Sequence, residues 1–358
     1  MWRICILLAT MLMLLVYVAE HAVAQVAQVD QITQASPAPD SDAQSPVAQE
    51  GELAKLNRQL DQLGSDKIWE RRRLVKQIDD LSIELATAGV LDYTKLTYRS
   101  SDGLMIPAYL FKSLKPASTT VPAIIYAHGG QHGRFRFSLL KHVEALVQRG
   151  YVVLAPDYRG SSGYSPEFYA AADYGGLEID DMLAAHDFLA DLPQVDAKRI
   201  AIMGMSHGGY NSLMALIRAP GKFVAAIDFF GPTDLVWRLT ATPDENPNIG
   251  SNDQEEFTRM VGKSIDAAPE LYRARSPRYL AEQIHEPLLI LHGDEDTVVL
   301  LQESQWLADA LEKAGKQNFA FHVIKGGKHG YPEPAWEPGW QLAFDFLQQV
   351  MAPVSVTR

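Results

Sequence analysis

Arg199-Ile200-Ala201-Ile202-Met203-Gly204-Met205-Ser206-His207-Gly208-Gly209 is the stretch on which the reading of this chain turns. The run Ile200–Met203 is apolar without alternation, which suits a strand covered on both faces of a sheet. Glycines and a serine then interrupt it, and His207–Arg218 continues at helical spacing. A serine on such a sharp strand-to-helix turn is held with its hydroxyl exposed. The small residues two positions to either side let the backbone pass close to neighbouring elements. A G-x-S-x-G match alone is weak, since a serine in a glycine-rich turn is often structural; the strand-turn-helix context makes Ser206 the candidate nucleophile. A hydroxyl is a poor nucleophile near neutrality, so a base must be found.

Outward from this turn, apolar strands alternate with amphipathic helices. Strands are predicted at Ala123–Ala127, Tyr151–Ala155, Arg199–Met203, Val224–Phe229, Pro287–Leu291 and Phe319–Ile324, with helices near Phe137–Gln148, Gly176–Ala190, His207–Arg218, Gln302–Ala314 and Trp336–Val350. Lys95–Arg99 and Leu104–Phe111, flanking Ser101-Asp102-Gly103, read as a hairpin. The pattern predicts an α/β fold, a mostly parallel sheet with helices on both faces, over residues 95–352. Residues 238–275, more polar and carrying Pro243, Pro247 and Pro269, read as an insertion or partial lid between two strands.

In this architecture an acid and then a base follow the serine, on loops at the carboxyl ends of later strands. Of the later histidines, His285 precedes its strand, His322 lies inside one, and His292 leaves no earlier strand for the acid. His329, in Gly326-Gly327-Lys328-His329-Gly330 just past the last strand, is the candidate base. The penultimate strand runs into His292-Gly293-Asp294-Glu295-Asp296-Thr297-Val298; Asp296 is the candidate partner of the imidazole and Asp294 the fallback. The alternation His292, Asp294, Asp296 also permits a metal-site reading, which no second ligand cluster supports. An oxyanion hole needs two N–H donors, one from His207 and the other from the loop His128-Gly129-Gly130-Gln131, with Gly130 favoured. A plain Gly-Gly turn is the bland alternative.

The 358 residues include 32 Lys+Arg and 44 Asp+Glu, a net charge of −12, which argues against a protein that grips nucleic-acid backbones. With 47% hydrophobic residues the chain is neither disordered nor fibrous. Its single cysteine, Cys5, excludes an internal disulfide and a zinc array of cysteines. Met1-Trp2-Arg3, the apolar run Ile4–Val18 and Ala22-Val23-Ala24 follow the order of a signal peptide over residues 1–24, cleaved after Ala24; the run is short for a membrane span. The mature protein is then expected outside the cytoplasm, periplasmic or secreted, with no stable membrane span and no thiol. Residues 25–50, rich in Gln, Ala, Ser, Pro and Asp, read as a flexible linker. Leu53, Leu56, Leu60 and Leu63, then Leu74, Ile78, Leu81 and Leu85 after Gly64-Ser65-Asp66, predict a helical hairpin over 51–90. It serves either to dock on the main domain or as a surface for a homo-oligomer.

Five motifs now stand in order: His128-Gly129-Gly130, Asp157-Tyr158-Arg159-Gly160-Ser161-Ser162-Gly163-Tyr164, Gly204–Gly209, His292–Asp296 and Lys328-His329-Gly330. Together they resemble the catalytic domain of the prolyl oligopeptidase family, especially its acylaminoacyl-peptidase and dipeptidyl-peptidase branches, over about residues 95–352. The resemblance implies an α/β-hydrolase fold with Ser206 as nucleophile, Asp296 as orienting acid and His329 as base. It also implies that Arg159 and Tyr164 lie on a loop near the active site, as candidate substrate-binding residues or as structural ones. Two departures stand out. Family peptidases usually carry a β-propeller before this domain, where here the linker and the helical hairpin stand, and Gln131 takes the place of a common proline. The expectation is a serine-type peptidase acting on short peptides, with a carboxylesterase of small acyl esters and a non-catalytic binding protein on a hydrolase scaffold as alternatives. No cofactor or metal is implied.

Overall fold

The computed structural model describes residues 46–115, 117–247, 251–330 and 334–352. The expected signal peptide, Cys5 and linker residues 25–45 lie outside them. Of the two units into which the chain divides, Met1–Glu52 and Leu53–Arg358, the second holds the sheet.

Eight strands form that sheet: β1 (Leu91–Arg99), β2 (Met105–Ser113), β3 (Val121–Ala127), β4 (Val152–Pro156), β5 (Val195–Met205), β6 (Ala226–Phe229), β7 (Leu288–Gly293) and β8 (Phe319–Ile324). Their spatial order is β1-β2-β4-β3-β5-β6-β7-β8. The predicted hairpin is present, Leu91 facing Ser113 and Arg99 facing Met105, and β2 runs antiparallel to β4. From β4 onward every pairing is parallel.

The unbroken apolar strands are covered on both sides, as their composition requires. Ile125 and Ile202 face a cluster with Met182, Leu213 and Leu307 from the helices Leu177–Ala190, His207–Arg218 and Leu301–Lys313. Ile124, Tyr126 and Met203 face the other side with Val143 and Trp340 from the helices Leu140–Gln148 and Glu337–Val350. Each such side chain taken fully out of water contributes about 1.5–3 kcal/mol. Parallel strands joined through helices bring their carboxyl ends to one edge, where the site loops gather.

Between β6 and β7 the predicted insertion folds into the helices Leu235–Thr240, Ser251–Val261 and Pro269–Arg273. Leu239 and Met260 anchor it in the core.

The two N-terminal helices are present, at Pro46–Gln62 and Ile68–Thr87. The first begins inside the stretch read as linker. In the second, the deepest burial falls on Leu74, Lys76, Ile83 and Thr87, not on the predicted line of Leu74, Ile78, Leu81 and Leu85. The inward face is charged. Lys76 Nζ lies 2.7 Å from Asp80 and 3.7 Å from the fully buried Asp157, and also donates to the Tyr109 hydroxyl. Asp79 accepts from the Arg134 guanidinium and from the Phe137 N–H at 3.1 Å. Apolar periodicity cannot register a docking face built this way, because a paired buried lysine reads as a surface residue.

Candidate active site

Ser206 sits between the end of β5 and the first turn of the helix His207–Arg218, with φ 53° and ψ −120°. This left-handed conformation is strained for a residue with a Cβ and is held by hydrogen bonds on either side. The Ser206 N–H donates to the Phe229 carbonyl at 2.8 Å, and the Ser206 carbonyl accepts from the Tyr210 N–H at 2.9 Å. The flanking glycines are required by space. A Cβ on Gly208 would stand 2.1 Å from the Ala127 carbonyl oxygen, and one on Gly204 would stand 2.4 Å from the Gly208 backbone.

His329 Nε2 lies 3.0 Å from Ser206 Oγ, and His329 Nδ1 lies 2.7 Å from Asp296 Oδ2. An ionised carboxylate only accepts, so Nδ1 carries the proton and Nε2 is left to accept from the serine hydroxyl. The structure thus brings together the three residues the sequence singled out, 123 and 33 positions apart in pairs.

The other Asp296 oxygen accepts from the Val298 and Val299 N–H groups at 2.8 and 3.0 Å. These main-chain groups fix the carboxylate; of the two valines that supply them, the Val298 side chain is exposed and that of Val299 is buried. His292 Nε2 donates to the Val299 carbonyl at 2.8 Å and stands 3.5 Å from Asp296 Oδ2. Burial works to raise the Asp296 pKa, but the His292 and His329 interactions and the N–H groups outweigh it and hold it below the usual carboxylate range.

The loops carrying acid and base are joined directly. Asp294 accepts from the Gly326 N–H at 2.6 Å, and the Glu295 N–H donates to the Gly327 carbonyl at 2.9 Å. Trp336 Nε1 donates to the Lys328 carbonyl at 2.9 Å, bracing the base loop from behind. Asp294 is therefore a loop brace, not the imidazole's partner. The metal reading of His292, Asp294 and Asp296 also fails, because the three side chains are committed to different neighbours: His292 to Ser304 and Val299, Asp294 to Gly326, and Asp296 to His329.

Ser206 and His329 open onto a pocket of about 680 Å³, which Gly130 and His207 also line. Gly130 adopts φ +76° in the turn after β3, closed by a hydrogen bond from the Gly133 N–H to its carbonyl. As the first residue of its helix, His207 has no carbonyl one turn back for its N–H. Its ring turns away from the serine, and Nε2 lies 3.0 Å from the buried Glu178. The ring thereby anchors the residue whose N–H is the oxyanion donor candidate.

Arg159 and Tyr164 are not in the pocket lining, which corrects their reading as substrate-binding residues. Arg159 is 2% exposed and donates a pair of hydrogen bonds to each of two carboxylates, through Nε and Nη2 to Asp181 at 2.9 and 2.8 Å and through Nη1 and Nη2 to Asp102 at 2.9 and 3.1 Å. It ties the β1–β2 turn to the helix Leu177–Ala190. The Tyr164 hydroxyl donates to Asp157 at 2.6 Å. Both residues are structural, because their polar groups are used within the protein.

Several pocket residues, Phe230 among them, are not singled out by the sequence. Phe230, with φ 45°, packs its ring edge-on against His329 at 4.8 Å between centroids and lines the pocket. Nothing local in Phe229-Phe230-Gly231 signals a left-handed phenylalanine.

Comparison with known proteins places this geometry. The model of the prolyl oligopeptidase family (Peptidase_S9) matches residues 136–353. Dipeptidyl aminopeptidase BIII of Pseudoxanthomonas mexicana is 30% identical over 220 residues, covering 61% of this chain and 31% of that one. Acylamino-acid-releasing enzyme 1 of Oryza sativa subsp. japonica is 28% identical over 249 residues, covering 65% and 30%. The chain thus spans about a third of the length of these relatives. A Mycobacterium tuberculosis puromycin-hydrolyzing peptidase superposes with a TM-score of 0.66 at 24% identity, over 73% of this chain and 40% of that one. That likeness is one of fold, the α/β-hydrolase fold. By the family match and by this fold, the chain belongs to the prolyl oligopeptidase family and is a serine hydrolase.

Proposed function

We propose that this protein is an exported serine peptidase that cleaves short peptides through an acyl-enzyme on Ser206. The observation that carries the reading is the unbroken hydrogen-bond chain from Ser206 through His329 to Asp296, opening on the pocket. The Ser206 hydroxyl, accepted by His329 Nε2, gives up its proton as Oγ attacks the substrate carbonyl. Asp296, ionised throughout, stabilises the imidazolium and holds its tautomer without taking the proton. Negative charge on the former carbonyl oxygen is met by the His207 and Gly130 N–H groups. His329 then protonates the departing amine. Water, deprotonated by the same imidazole, releases the acyl group and restores Ser206. The peptidase names of the curated relatives support an amide substrate.

The test is turnover of a peptide-amide panel beside short acyl esters. Cleavage of peptides, lost in Ser206→Ala, is the expected result. Ester turnover with no amide cleavage would instead establish a carboxylesterase. Export is read from residues 1–24 and is tested by cell fractionation with N-terminal sequencing, which should begin at Gln25.

A further inference from the structure

One wall of the pocket is the segment Gly133-Arg134-Phe135-Arg136, and its side chains alternate in a way the serine chemistry does not explain. Phe135 is fully buried in the core, whereas Arg134 and Arg136 both line the pocket. Arg136 itself is in extended conformation, φ −127° and ψ 154°. Arg134 is partnered: its guanidinium is held by Asp79, and Nη1 lies 3.4 Å from Ser162 Oγ. Arg136 is exposed and, among the described residues, has no acidic partner. Of the other basic groups in the lining, Arg238 lies 2.6 Å from Glu303, while burial lowers the His132 pKa and favours its neutral ring, which stacks on Tyr169. No Asp or Glu is among the described residues that line the pocket. In a chain of net charge −12, the arginines are thus the charged side chains that reach the lining, and Arg136 is the one of them without a carboxylate partner among the described residues. A cleft of one sign with low-dielectric walls concentrates ligands of the other.

Resting on the reading of the pocket as a peptidase site, we infer that Arg136 recognises a carboxylate on the substrate, with Arg134 held beside it by Asp79. The substrate class is an anionic peptide, not one selected by its ammonium terminus. A guanidinium offers paired N–H donors that match a carboxylate, and closing substrate over it displaces the water that screens it. The carboxylate is either the free C-terminus on the leaving side or an acidic side chain in the acyl half. The chemistry at Arg136 is the same for both.

The experiment uses matched substrate pairs: a C-terminal acid against its amide, and Glu against Gln in the acyl half, each acyl variant also made as a chromogenic ester. One acid is expected to exceed its neutral partner in kcat/KM by about tenfold, the value of one charge-assisted hydrogen bond. Arg136→Gln should bring that ratio close to one, and Arg136→Glu should invert it. The pair that responds identifies which half carries the carboxylate, and added salt should weaken the preference. Equal turnover within both pairs by the unaltered protein, or a ratio that survives in Arg136→Gln, overturns the inference. Cleavage of the esters alone defeats the peptidase reading while the Glu and Gln esters still report on Arg136. Should no substrate turn over, protection of Ser206 from a fluorophosphonate by the acid and neutral peptides gives the same ratio.

Discussion

The ends of β6 and β7 lie side by side in the sheet, each buries an aspartate, and they treat it in opposite ways. The Asp296 side chain, past β7, and Asp228, in β6, are both closed off from solvent. Asp296 meets two N–H groups and an imidazole within 3.0 Å, and its pKa lies below the ordinary carboxylate value. Asp228 accepts from the Gly231 N–H at 2.8 Å, while its second oxygen has no partner among the described residues. Burial pushes its pKa up to about 7 against that single donor and a modest pull from His292. Burial is common to both sites, so donors decide the charge. Asp296 is kept ionised for the imidazole, whereas burial at Asp228 favours the protonated form.

The largest expected effect removes the charge at the better-supported end. Asp296→Asn presents an amide where His329 Nδ1–H needs an acceptor, favouring the wrong tautomer while the loop's N–H donors keep an oxygen to bind. We expect a folded enzyme whose kcat falls by about 10⁴, less than the ~10⁶ for Ser206→Ala or His329→Ala. Steady-state kinetics beside thermal melting check this. Activity within tenfold of the parent would mean that the imidazole has another acid. His322→Ala, on exposed β8 sequence, should change kcat by less than a factor of about three.

The same substitution at the other end should act on stability alone. Above the unfolded-state value of 3.8 and below about 7, the folded chain keeps the Asp228 proton that the unfolded chain gives up. Stability therefore falls as pH rises through this window, by about 1.4 kcal/mol per unit, and levels off above it. Asp228→Asn cannot ionise, so its stability relative to the parent should improve by about 3 kcal/mol from pH 5 to pH 8 in urea melts. A gap that stays constant over that range would show that Asp228 is ionised in the native state. Asp296 works in the opposite sense: its contribution is present above about pH 4 and is lost only in stronger acid.

How legible these features were follows from what each depends on. The parallel sheet, the elbow at Ser206 and the order of acid and base come from apolar runs and glycines, and a single sequence displays both. The strand Phe319–Ile324 was predicted to the residue, and β5 was underestimated because its polar start, Asp196–Lys198, carries no apolar pattern. Asp296 was separable from Asp294 by position in the loop, although the Val298 and Val299 N–H donors that fix it are main-chain groups with no signature. Asp228 stood in plain view inside an apolar strand, but its missing partner is a fact of three dimensions. Arg159 was misplaced for the same reason. A motif puts it on a loop near the site, and only the positions of Asp102 and Asp181 show that its fork is already filled. The docking face of the helix Ile68–Thr87 was hidden by its own chemistry, since Lys76, Asp79 and Asp80 are surface residues by every composition rule.

Asp79 offers the gentlest test of the rule that donors outrank burial, because its side chain is partly exposed yet well supplied, with Arg134 on one side and the Phe137 N–H on the other. Asp79→Asn keeps an oxygen for the N–H but removes the charge opposite Arg134, so a loss of about 1 kcal/mol is expected, within the range of partly exposed ion pairs. The consequence for the pocket should exceed what that number suggests. Arg134 is fixed to the wall by this contact, and a loosened guanidinium would disturb the segment that also presents Arg136. KM for peptides should therefore rise by about threefold while kcat changes little, since nothing touching Ser206, His329 or Asp296 has moved. Asp79→Glu, which restores the charge, should recover most of the KM. If Asp79→Asn lowers kcat and leaves KM alone, the wall is coupled to the reacting groups rather than to substrate binding, and the N-terminal helix then supports the chemistry itself.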